Sequence, residues 1–239
     1  MLEKRHAEQR GTANFGWLNS KHSFSFGSYR DPQQNGFSDL LVINDDTVAP
    51  AGGFDSHPHQ DMEIFSYVLE GALEHKDSMG TGSVIRVGDV QAMSAGTGVI
   101  HSEFNHSSSA GVHFLQIWIV PAQRGVQPRY QQRHFTNEEK RGKLRLIISP
   151  DAAEASLAVW QDVRVYAGLF DGTEAASLTL PPNRHAYVHV ARGAVTVNGE
   201  RFQEGDGARL RNVEQIAITE GNAADVLVFD LRPHELPRM

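Results

Sequence analysis

No cysteine occurs among the 239 residues. The fold cannot rest on disulfides, and any bound metal must be held through nitrogen and oxygen. Positive charge is also scarce: 22 Lys and Arg stand against 29 Asp and Glu, a formal net charge of -7, and no basic run occurs. That balance speaks against a nucleic-acid or acidic-membrane surface, so neither nucleic acid nor membrane is expected as a direct partner. No stretch approaches the roughly 20 apolar residues that a spanning helix needs. The opening MLEKRHAEQRGTANFGW has no apolar segment of the secretory kind, and a cytoplasmic protein is expected. Helical periodicity is weak, with residues 136–141 and 152–155 suited to a turn or two.

What the chain does have is a dense series of short apolar runs bounded by Gly, Asp, Asn and Pro. Leu40 to Ile43, Ile64 to Leu69, His113 to Val120, Val163 to Leu169 and Val226 to Leu231 are examples. With 40% apolar residues to fill a core, this density predicts an all-β sandwich or barrel. An internal echo divides the chain. Tyr67-Val68-Leu69-Glu70-Gly71, a strand, and Val87-Gly88-Asp89 form one block; Val188 to Gly193, Ala194 to Gly199 and Glu204-Gly205-Asp206 form another. Each reads strand, glycine turn, strand, Gly-Asp turn, strand, which predicts two copies of one β-barrel. The expected units are 1–135 and 136–239, joined across residues 121–144.

Chemistry concentrates in two triplets, His57-Pro58-His59 and His101-Ser102-Glu103. Residues i and i+2 of a strand point to one face. If the two strands are neighbours, three imidazoles and one carboxylate converge, a set that suits one divalent transition metal with positions left for other ligands. The second copy has no such pairs. His185 and His189 are four apart without a matching carboxylate, so it reads as a structural partner or a site that has lost its metal.

The segment Gly53 to Glu63 with Tyr67 to Gly71 resembles the first motif of the cupin superfamily, and Gly88-Asp89 with Ser94 to Asn105 resembles the second. More particularly, HPHQDMEIFSYVLEGALEHKDSMG and MSAGTGVIHSEFN resemble the pirin family, including its bacterial members with quercetinase activity. The resemblance spans the chain, taking in RGTANFGWLNSKHSFSFGSY and PRYQQRHF. It implies an all-β fold of two cupin, jelly-roll-type β-barrels packed face to face, with metal only in the first. The ligands implied are His57, His59, His101 and Glu103. Generic cupins take their carboxylate from the first motif, where Glu63 has that spacing. The pirin wording favours Glu103 as ligand, which leaves Glu63 behind the ligands to orient a histidine or move a proton.

Other residues have plainer readings. His75, in Glu74-His75-Lys76-Asp77, is expected to be structural, and His113 to lie near the core. Phe54 and Phe104, beside the triplets, are candidates for apolar pocket walls, while Gln116 and Trp118 lie on a strand whose faces are not assigned. The thiolate-free donor set suits Fe(II), Mn, Co, Ni, Cu or Zn, and Fe(II) comes first because the resemblance implies it.

The resemblance implies a quercetin 2,3-dioxygenase. A flavonol would lose its 3-hydroxyl proton to Glu103 or Glu63, and dioxygen would open the central ring with release of carbon monoxide. Its partners are then a flavonol or related enol and dioxygen, and a monomer is expected. A second reading is a non-enzymatic, iron-dependent redox sensor and co-regulator that binds a protein partner. A third is another small-molecule cupin, since fold and ligand set alone do not name a substrate.

Overall fold

A computed structural model describes residues 1–234. Twelve strands lie before residue 136: β1 Leu2–Arg5, β2 Gly11–Asn14, β3 Leu18–His22, β4 Leu40–Val48, β5 Gly53–His59, β6 Glu63–Glu70, β7 Ala72–Asp77, β8 Gly82–Arg86, β9 Asp89–Ser94, β10 Val99–Asn105, β11 Val112–Ile119 and β12 Arg129–His134. Eight follow: β13 Arg145–Ser149, β14 Leu157–Ala158, β15 Arg164–Phe170, β16 Ala176–Thr179, β17 His185–Val197, β18 Glu200–Gln203, β19 Gly207–Arg211 and β20 Gln215–Leu231. One α-helical turn among the described residues, Asn137–Lys140, begins at a capping box in which Thr136 and Glu139 bond each other's backbone N–H.

The first barrel is built from two sheets, ordered β12-β9-β6-β11-β4-β3-β2 and β5-β10-β7-β8. The second follows the order β1-β19-β17-β20-β15-β13-β14, with β16 on β20 and β18 on β17. Alternation along β6 explains how they join. Ile64, Ser66 and Val68 turn into the first barrel, while Phe65, Tyr67 and Leu69 turn outward. The outward row shares one buried cluster with Ile147, Val165, Tyr187, Leu227 and Phe229 of the second half. The two barrels therefore pack face to face through a common apolar layer. Its polar plug is Tyr67, whose hydroxyl donates to Asp225 at 3.0 Å and accepts from Lys140 Nζ at 3.2 Å.

Two features differ from the sequence reading. Gly193 is not a hairpin turn. It lies within the continuous strand β17 at a series of register shifts, where a side chain would collide with the backbone of Asn222 and Ala223. The hairpin comes later, at Asn198-Gly199, where both residues have positive φ. In addition, β1 pairs with β19, from Leu2 opposite Leu210 to Arg5 opposite Gly207, so residues 2–5 join the sheet of the second barrel. In the reverse direction, Arg232 of the second half grips Asp39 of the first through two bonds of 2.7 and 2.8 Å.

Candidate metal centre

β5 and β10 are antiparallel neighbours, with His101 opposite His57 and Val99 opposite His59. This register gathers His57, His59 and His101, whose ligand-capable nitrogens lie within 4.8 Å of one another. A β-bulge follows: Glu103 stands opposite Phe54, so Asp55 and Ser56 together oppose Ser102. The extra residue resets the alternation of β5, and Phe54 lines the same cavity as His57 and His59.

The histidines present lone pairs to one another. His57 Nδ1 is 2.7 Å from the Asp55 carbonyl oxygen, to which it donates, so its Nε2 is a bare acceptor. That Nε2 lies 3.0 Å from His101 Nε2. Burial, then the neighbouring His57, lowers His59 to about 4, and burial with the three surrounding histidines lowers His101 further. Near neutral pH His59 and His101 are therefore neutral and available as ligands.

Glu103 is buried, 2% exposed, one step deeper in the barrel. Gln116 Nε2 donates to its Oε2 at 2.6 Å, and Ser66 donates to Gln116 Oε1 at 2.8 Å. Its carboxylate lies within 4.8 Å of the ligand atoms of His75 and His101 but outside the three-histidine group. Burial and then the neighbouring Asp46 carboxyl raise it to about 7. Among the described residues that line the cavity there is no Lys or Arg to offset this acid.

The donors fit a divalent metal. Two imidazole nitrogens bound cis to one ion, each about 2.1 Å from it, lie about 3.0 Å apart. Three imidazoles converging beside a buried carboxyl form a donor set that a cation would satisfy, and no Lys or Arg of the cavity wall competes for it. The cavity is about 230 Å³. Phe15, Leu18, Phe26, Phe54 and Trp118 form its apolar walls, and Ser20, His22, Asn44 and Asp46 a polar one. Trp118 stands edge-on to His59, with centroids 4.9 Å apart.

The sequence reading missed several of these groups. Gln116 and Trp118 both face the cavity, because Leu115, Ile117 and Ile119 on the alternate face of β11 belong to the seam between the barrels. His75 and Asp77 also belong to the site's surroundings. They stand opposite Glu103 and His101 on β7, and their His-x-Asp spacing is the same alternation that marks the other two triplets. Phe104 does not line the cavity; its ring packs over Gly53.

Glu63 is not brought to the histidines. It accepts from Ser94 Oγ at 2.8 Å and from the Trp160 backbone, on the face of β6 that turns to the second barrel. The residues between β5 and β6 form a turn, with Asp61 at φ 48°, so the parity of His59 does not carry across to Glu63. In the second half His189 is buried with neither ring nitrogen hydrogen-bonded, and no metal-type cluster surrounds it among the described residues.

Comparison with known proteins agrees along the whole length. The family pattern described as Pirin matches residues 3–119, and the quercetinase C-terminal cupin domain matches residues 146–231. A quercetin 2,3-dioxygenase of Escherichia coli strain K12 is 45% identical over 233 residues, covering 98% of this chain and 100% of the relative. The crystal structure of E. coli YhhW superposes with a TM-score of 0.94 at 43% identity, covering 99% of this chain and 100% of the other. The bacterial pirin YhhW in complex with nickel(II) gives a TM-score of 0.93 at 44% identity over 98% of this chain and 100% of the other. With its two cupin barrels and full-length similarity, the chain belongs to the pirin family.

Proposed function

We propose that this chain is a metal-dependent quercetin 2,3-dioxygenase in which His57, His59, His101 and Glu103 hold one divalent metal and Glu103 is also the base. The observation that carries this reading is one cavity lined by His57, His59, the buried Glu103 carboxyl and aromatic walls, with the buried His101 within 4.8 Å of both histidines. The name of the 45% identical relative supports the substrate, and the nickel(II) complex of YhhW supports a divalent metal. When bound, the metal supplies Lewis acidity and a template that brings substrate and dioxygen together.

The protein's own groups do the rest. Phe26, Phe54 and Trp118 exclude water and hold a flat ring system. Glu103, buried beside Asp46 with its carboxyl held by Gln116, accepts the flavonol 3-hydroxyl proton. Gln116 fixes the angle of that carboxylate from behind. Both dioxygen atoms enter the depside product, and one ring carbon leaves as carbon monoxide. Glu63, bonded to Ser94 on the other face of its strand, is left out of this proton path.

Iron(II) is our first choice among metals, with Mn, Co, Ni, Cu and Zn as alternatives for the same donors. The cytoplasm is the proposed compartment; among the described residues no helix is long and apolar enough to cross a membrane. The test is aerobic quercetin consumption with carbon monoxide detection, on metal-stripped protein reloaded with each metal in turn. Turnover with carbon monoxide, lost in Glu103→Ala, is the expected result. Full metal binding with no turnover for any ion would overturn it and favour the protein-binding regulator.

A further inference from the structure

Behind His101 runs a chain of hydrogen bonds that the proposed chemistry does not use. His101 Nδ1 lies 3.4 Å from His75 Nδ1, and His75 Nε2 lies 2.9 Å from Asp77 Oδ2. The other oxygen, Asp77 Oδ1, accepts from the backbone N–H of Met79 at 2.9 Å and of Thr81 at 3.0 Å. His75 and the Asp77 side chain are fully buried, and the His75 ring packs against Tyr130 with centroids 4.7 Å apart and planes tilted by 34°.

The protons in this chain can be placed by elimination. Asp77 is ionised and only accepts, so His75 must donate from Nε2. A neutral His75 then has an acceptor at Nδ1. His101 must donate to it from Nδ1, which leaves the His101 Nε2 lone pair facing His57 Nε2, 3.0 Å away. The geometry points to Asp77 and His75 as positioning residues that fix the tautomer of His101 and so make it a metal ligand. The inference rests on the metal-site reading above.

Asp77→Asn is a sharp test because it preserves shape and reverses polarity. The two turn amides hold the remaining carbonyl oxygen at Oδ1, so the new NH2 group faces His75. His75 Nε2 then accepts, its Nδ1 carries the proton, and His101 must accept at Nδ1. His101 Nε2 becomes an N–H and no longer binds metal. A carboxylate-to-amide change beside a histidine elsewhere in proteins has this consequence. His75→Gln should be milder: its amide can donate to Asp77 and accept from His101 at once, preserving the wild-type polarity.

The experiment has two readouts on the full chain. Imidazole 15N NMR of the metal-free wild type reads the His101 tautomer directly, and competition titration with nickel(II) reads affinity. We expect the Nδ1–H form in the wild type, the Nε2–H form in Asp77→Asn, and a 10–100-fold weaker affinity in that variant. His75→Gln should retain the Nδ1–H form and lose less affinity than Asp77→Asn. An Nε2–H tautomer in the metal-free wild type overturns the inference even if no variant folds. So does wild-type nickel affinity in folded Asp77→Asn. Failure of the wild type to bind nickel, with His101 in its Nδ1–H form, would strike the metal reading instead.

Discussion

Gln116 shows how much one side chain in the barrel wall can set. It gives its amide N–H to Glu103 at 2.6 Å and takes the Ser66 hydroxyl at 2.8 Å, so the carboxyl it supports has one orientation. Gln116→Leu keeps the bulk and removes the donor. Loss of a bond to the charged form raises the Glu103 pKa, so the acid limb of the kcat/KM profile should move to higher pH. At neutral pH we expect kcat/KM to fall about 10–100-fold, a loss of about 1.4–2.7 kcal/mol in transition-state binding. An unmoved profile would remove Gln116 from the base. His189 tests a different physics. Burial lowers it to about 4 in the folded chain, whereas an unfolded histidine titrates near 6.5. The unfolded state therefore binds the extra proton between these values, and stability must fall as pH drops through that window, by up to about 3 kcal/mol. Urea unfolding of His189→Leu between pH 7 and 4 should show a flatter decline than the wild type.

At the scale of single elements, the bulge facing Ser102 makes β5 and β10 one device. Gly53 lies under Phe104, where a Cβ would enter the ring and stand 2.6 Å from the Glu103 carbonyl oxygen. Gly53→Ala should push β5 off β10, cost about 1–3 kcal/mol and weaken metal binding, both readable from thermal melts with and without nickel(II). The alternation that joins His57 to His59 and His101 to Glu103 was legible in the sequence because each pair lies within one strand. His75 and Asp77 obeyed the same rule, but a lone His-x-Asp on a polar strand has no signature until its neighbours are known. Glu63 misled because its spacing from His59 is counted across a turn, where strand parity is lost. Gly193 misled for the opposite reason: a glycine that permits a bulge looks the same in sequence as one that permits a turn. The polar wall of His22, Asn44 and Asp46 comes from β3 and β4, outside both motifs, and only the barrel closure brings it to the cavity.

For the whole molecule the decisive feature is the apolar layer shared by the two barrels. We propose the units as 1–135 and 136–239, with β1 exchanged into the sheet of the second barrel. Phe65, Tyr67, Leu69 and Ile117 are buried in one cluster with residues of the second half. The chain should therefore unfold in a single calorimetric transition, without a separate melt for the metal-free barrel. Residues 1–135 produced alone should bind a hydrophobic dye and self-associate. Two resolved transitions, or a well-folded monomeric fragment, would show that the seam is weaker than its packing suggests. The internal echo revealed the two barrels in the sequence, but the exchange of β1 could not be read there, since Leu2 and Leu210 have no local signal linking them.

That exchange has a consequence for biosynthesis. β1 is translated roughly 200 residues before its partner β19. At the usual pace of translation, about 5–20 residues per second, the strand waits on the order of 10–40 s with its backbone unsatisfied. Throughout that interval the metal-binding half can close its own sheets while its first strand is left to water, to a chaperone, or to the wrong edge of another nascent chain.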